Sequence, residues 1–188
     1  MNETIRRHTS SLPRLEGGRV HLRAPCDGDQ AALYSLFSLP QVVRFWSTPA
    51  WTDPAQADAW LRRQAGFREE STGLTWAIVR PDDDTLIGTA SLYAFVPEQG
   101  RGEVGYTLHP RLWGSGLATD AVRRTLRFAF EELDLRRIEA DTDPRNTGSC
   151  KLLERLGFER EGYLRERWFV DGELQDTALY GLLRRDLR

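Results

Sequence analysis

The chain has 188 residues, 40% hydrophobic and 29% charged, which suits one folded domain with a proper core. A net charge of −2 gives no general pull on nucleic acid, and no apolar run reaches membrane-spanning length. Residues 1–15 lack the apolar heart of a secretory leader, and two cysteines, Cys26 and Cys150, are too few for a disulfide framework, so the expected setting is cytoplasmic.

Residues 1–17 mix Ser, Thr, Arg and Pro and read as a loosely ordered lead-in, with the single domain over 18–188. Arg19 to Arg23 alternates as an opening strand, halted by Pro25. Asp27 is placed to cap a helix over about 29–38, and Pro40 to Trp46 reads as aromatic and irregular. Asp53-Pro54 gives an N-cap followed by proline at the first helical position, with the helix running to about Arg68. Leu74–Arg80 and Thr85–Phe95 form antiparallel partners around the turn at Pro81–Asp84.

Glu103–His109 is the next strand, and Ala118, Val122, Leu126, Ala129 and Leu133 mark an amphipathic helix. Between them lies Arg111-Leu112-Trp113-Gly114-Ser115-Gly116-Leu117-Ala118. Two glycines and a serine at a helix start leave backbone N–H groups facing outward, next to the positive end of the helix dipole. The stretch is an anion cradle. It lacks the Lys and Ser/Thr of a Walker loop and the third glycine of a dinucleotide fingerprint. Downstream come a short strand over Arg136–Asp141, a helix capped by Asn146 and closed by Gly157, and two strands flanking Asp171-Gly172, a tight hairpin turn.

The pattern Arg-x-x-Gly-x-Gly-x-Ala at 111–118, followed by Asn146-x-x-Ser149 and Leu156-Gly157-Phe158, resembles the core of GNAT-type N-acetyltransferases. Glu161 to Glu166 and the closing hairpin are similar to the branch that acetylates N-termini of ribosomal proteins. The likeness runs over roughly residues 18–186. It implies an α/β (α+β) fold: a twisted mixed sheet of about seven strands with about four helices, in which the strands of Glu103–His109 and Arg137–Asp141 splay apart to admit the pantetheine arm of acetyl-coenzyme A. The expected reaction is transfer of the acetyl group from acetyl-CoA to a primary amine, foremost a protein or peptide N-terminus. A free small amine and a non-catalytic acyl-CoA-binding module stand as alternatives. No metal, nucleic acid or membrane partner is expected, and the chain is expected as a monomer or homodimer.

Residue roles follow from the same resemblance. Arg111 and the amides of Trp113, Gly114, Ser115, Gly116, Leu117 and Ala118 would hold the pyrophosphate, and Asn146 and Ser149 would face the pantetheine and sulfur. Lys151, the only lysine among 26 basic residues, would meet a phosphate or be solvated. A backbone N–H near Thr107 or Leu108 would hold the oxyanion. Glu103 is the candidate base, and Ser149 the candidate acid, with Tyr163 as alternative donor. The branch places a carboxylate near the start of the second-to-last strand, where this chain has Trp168, read as a stacking wall for substrate or as core. Cys150 has no histidine beside it in sequence to activate it, which favours direct transfer over an acetyl-cysteine. Trp46, Trp51, Trp76 and Trp113 are expected around the acceptor face, with Phe45 and Trp46 assigned to the substrate.

Overall fold

A computed structural model describes residues 11–188; the first ten residues of the expected lead-in lie outside the described residues. From Leu12 the chain is already packed. Leu12 is buried, Leu15 bridges Leu22, and the Pro13 carbonyl accepts the indole N–H of Trp76 at 2.9 Å.

Among the described residues, seven strands form one sheet: β1 (His21–Arg23), β2 (Gly73–Val79), β3 (Leu86–Val96), β4 (Arg101–Leu108), β5 (Arg137–Thr142), β6 (Glu159–Val170) and β7 (Glu173–Leu183). Their spatial order is β1-β2-β3-β4-β5-β7-β6. Five α-helices accompany them in the described residues: α1 (Gln30–Phe37), α2 (Pro40–Val43), α3 (Ala55–Glu69), α4 (Leu117–Glu131) and α5 (Thr147–Leu156). The short α2 occupies the segment expected to be irregular, started by Pro40 at its first turn. Asp27 does not cap α1. Instead a 3-10 turn precedes that helix, and the Asp29 carboxylate accepts the Cys26 N–H.

Helices α4 and α5 pack on one face of the sheet, where Val122, Leu126, Leu153 and Leu156 meet Trp76, Ile78 and Val104. Helices α1 to α3 cover the other face at Ala77 and Val79. Strand β2, buried throughout, is therefore sandwiched. Its Trp76 is fully buried with the ring edge-on to Phe128 at 5.2 Å, a burial worth about 1.5–3 kcal/mol.

The sheet is antiparallel except where β4 meets β5. These two run parallel for three pairs only, Arg101 with Arg137, Gly102 with Ile138, and Glu103 with Glu139. Beyond that point β4 stays with β3 through Leu108, and β5 stays with β7 through Thr142. Each strand follows its outer partner, so sheet twist parts them. The closed end is pinned by Glu139, which accepts from Arg101 at 2.7 Å and from Arg137 at 2.8 Å. Among the described residues, no helix is long and apolar enough to cross a membrane.

Candidate active site

Two features sit at the open end of the splay: a cavity of about 370 Å³ running through the gap, and the glycine loop that follows β4. In the loop, Gly114 (φ 74°) and Gly116 (φ 83°) adopt left-handed backbone, which side chains resist. Gly116 is the N-cap of α4. The first helical hydrogen bond runs from Asp120 N–H to Gly116 O at 3.1 Å, so the amides of Leu117, Ala118 and Thr119 precede any helical acceptor. Ser115 Oγ donates to Leu112 O at 2.6 Å and accepts weakly from the Leu117 amide. Trp113 is not part of an acceptor face. Its indole N–H caps the Leu108 carbonyl at 2.7 Å and its ring is largely exposed beside the loop. Arg19, read from sequence only as a strand residue, donates to Ser115 O at 2.8 Å. It brings a second cation, besides Arg111, to this loop.

At the gap, the Asn146 carboxamide caps α5 by accepting the Ser149 amide at 3.1 Å. That fixes the first turn and aims Ser149 Oγ at the Tyr106 hydroxyl, 2.8 Å away. Burial holds the Tyr106 phenol above its ordinary range, so it stays protonated near neutral pH. Tyr106 was missed in the sequence, although it sits three residues after Glu103 on the strand assigned to the site. Tyr163 stands apart on β6, its hydroxyl donated to Asp176. Lys151 is exposed on α5.

Glu103 closes the parallel ladder. Burial, with Asp141 and Glu139 nearby, raises its carboxyl above the usual range against the opposing pull of Arg167 and Arg101. Its successors Val104, Gly105 and Tyr106 line the cavity, together with Asp141 and Ser149. Glu103 itself stands just off the wall, close enough that its charge and that of Asp141 raise the Tyr93 phenol along with burial. Gly105 lets that ring lie close: a Cβ there would stand 3.1 Å from Tyr93 Cε1.

Phe45, Trp46 and Trp168 all line the cavity. Trp168 does so through a bulge in β6, where the register slips between Leu164 and Trp168. Glu166 there takes a positive φ of 52°, with its amide held by Asp176 at 2.8 Å. Trp60 on α3 joins the wall, a residue the sequence leaves unassigned because its place depends on packing against Phe37 of another helix. The remaining tryptophans depart from expectation. Trp76 is core on the opposite face of the sheet, and Trp51 packs behind the wall on Phe37 at 4.7 Å.

A glycine-opened helix start, a parted pair of parallel strands and a hydroxyl pair beside the gap suit a nucleotide-tailed thioester. Residues 19–159 match the family model of the acetyltransferase (GNAT) domain. The chain belongs to the GNAT acetyltransferase family. An uncharacterised N-acetyltransferase of Bacillus subtilis (strain 168), YoaA, is 32% identical over 173 residues, covering 92% of this chain and 98% of that protein. The [ribosomal protein uS5]-alanine N-acetyltransferase of Escherichia coli (strain K12) is 30% identical over 125 residues, 64% of this chain and 62% of that one. Among solved structures, spermidine N-acetyltransferase from Vibrio cholerae in complex with CoA and spermine superposes with a TM-score of 0.80 at 21% identity, covering 90% of this chain and 98% of that one. This GNAT chain is accordingly an acetyl-CoA-dependent N-acetyltransferase.

Proposed function

We propose that this GNAT enzyme acetylates the α-amine of a peptide or protein N-terminus by direct attack on the thioester. The observation that carries the chemistry is the placement of unlike groups about the splay: the Ser149–Tyr106 hydroxyl pair at 2.8 Å, and the raised carboxyl of Glu103 with Asp141 nearby. In this reading the loop amides, foremost those of Gly114, Leu117 and Ala118, hold the pyrophosphate with Arg111 and Arg19, since the Trp113 and Ser115 amides already donate to the Pro110 and Leu112 carbonyls. The pantetheine arm enters between β4 and β5.

The amine enters as ammonium and gives a proton toward Glu103, directly or through water. Its nitrogen then attacks the thioester carbon. The oxyanion rests on a backbone N–H of β4 near Thr107 or Leu108. As the C–S bond breaks, the thiolate takes the Ser149 hydroxyl proton while Tyr106 stays hydrogen-bonded to Ser149 Oγ; the nitrogen sheds its second proton as the amide forms, and that proton returns through water to Ser149. An α-amine (pKa about 8) offers about 250-fold more free base at neutral pH than a lysine side chain (about 10.4). A carboxylate with only a modestly raised pKa is therefore a sufficient base for it.

The uS5-alanine relative supports a polypeptide acceptor. A free small amine is the second reading, favoured by the bounded cavity, which falls in the size range of small-molecule sites. Matched peptides with free and blocked N-termini test the proposal. Acetylation of the free form alone is expected, rising from about pH 6 to 8 as the amine deprotonates. Equal activity on the blocked form would overturn α-amine selectivity.

A further inference from the structure

The cavity's lining is chemically lopsided. Asp141 is the one charged side chain among the described residues that line it, and it stands at the splay. The rest of the wall holds rings drawn from several elements: Trp46 after α2, Trp60 and Phe67 on α3 and Trp168 on β6, with Tyr93 of β3 paired across from Glu103 beside the splay. Phe37 backs this wall, 5.4 Å from Trp46 and 5.9 Å from Trp60. Three of the polar side chains in the lining satisfy one another: Thr75 Oγ1 donates to Gln64 Oε1 at 2.8 Å and meets Ser91 Oγ at 2.9 Å.

We infer that the acceptor carries its amine one or two carbons from an aromatic ring. This rests on the reading that the cavity takes the acceptor amine at its splay end. One ammonium group finds Asp141 and Glu103 at that end. A body lying further in meets ring faces and edges, which stack with another ring and offer a methyl group far less contact. A polyamine is disfavoured because its second ammonium would lie among neutral groups with no counter-charge, at a desolvation cost. An alanine or serine side chain would leave the rings facing empty space or water.

The same chemistry has two sources, a polypeptide beginning with phenylalanine and a free arylalkylamine. The experiment measures kcat/KM with acetyl-CoA for a phenylalanine-initiated peptide, its alanine-initiated counterpart, 2-phenylethylamine and spermidine, with products identified by mass. At least one phenyl acceptor is expected to exceed both the alanine peptide and spermidine by about tenfold or more. Whichever phenyl acceptor is faster identifies the source. Trp46→Ala should bring the phenyl-to-alanine ratio toward one without loss of coenzyme affinity by calorimetry, a result a merely structural role would not give. Phe67→Ala, at a ring that is 41% exposed, makes the same test if the first variant does not fold. An alanine peptide or spermidine that matches the phenyl acceptors would overturn this inference and leave the amine-transfer reading standing. Coenzyme binding with no acetylation of any amine in a wider panel would overturn that reading, and this inference with it.

Discussion

Tyr106 and Ser149 meet hydroxyl to hydroxyl because two unrelated elements are each fixed by other contacts: β4 by its ladder with β3, and the start of α5 by the Asn146 cap. If Ser149 protonates the leaving thiolate, Ser149→Ala should lower kcat by about 10² and leave coenzyme affinity nearly unchanged, since the donor acts in the transition state. Tyr106→Phe removes only a supporting hydrogen bond, so a loss of about fivefold is expected. Steady-state kinetics with calorimetry checks both, and full turnover in the Ser149 variant would move the proton donor elsewhere. Glu103 carries a second prediction. Its folded-state pKa lies above its unfolded value, so its ionisation favours unfolding, and stability is lost as pH rises from the unfolded pKa through the folded one. Below both values the group is neutral in either state and has no effect. Glu103→Gln should therefore be more stable than the parent at neutral pH, with the difference vanishing on acidification, while kcat falls. Denaturant melts at several pH values measure the first effect, and an unchanged difference across pH would assign it to packing.

At the scale of elements, helix ends carry the strongest demands. Gly116 begins α4 with left-handed backbone, and an added Cβ would stand 3.1 Å from Arg19 Nη1. Gly116→Asp would put strain and negative charge where the phosphates are proposed to bind, so coenzyme affinity should fall by at least about tenfold. Calorimetry on a variant with an unaltered circular dichroism spectrum checks this. Gly157 ends α5 at φ 102°, where a Cβ would come within 2.1 Å of the Asp186 carbonyl. Gly157→Ala should cost more than about 1 kcal/mol, from the strained φ together with a backbone clash. A denaturation midpoint equal to the parent's would contradict it. The β6–β7 hairpin is held differently. Its turn residues Asp171 and Gly172 both take positive φ, as a two-residue primed turn requires, and the Asp176 contacts to Tyr163 and Glu166 support the bulge that presents Trp168.

Across the whole molecule, the parting of β4 and β5 leaves a seam through the sheet joined by three residue pairs. A coenzyme arm lying in that seam would couple the β1–β4 half to the β5–β7 half. At about 100 times its Kd, such a ligand adds about 2.7 kcal/mol of stability, which for a domain of this size raises Tm by roughly 5–10 °C. Differential scanning fluorimetry with CoA measures the shift, and hydrogen exchange should show protection concentrated in β4, β5 and the glycine loop. Protection confined to the loop would mean that the seam is not the binding path.

Local rules were enough to read the strand–loop–helix order, the Asn146 cap, the Gly157 stop, the Asp171-Gly172 turn and the glycine-opened helix start from the residues alone, because each depends on neighbours within a few positions. The resemblance carried by those motifs added the splay of two strands that are adjacent in space. Tertiary structure decided what depends on distant partners. It buried Trp76 beneath α4, set Trp60 into the cavity wall, brought Arg19 to the loop 96 positions onward, and turned Tyr106 rather than Tyr163 to face Ser149. A side chain's chemical role depends on the atoms within a few ångströms of it, and for these residues the packing of separate elements supplies those atoms.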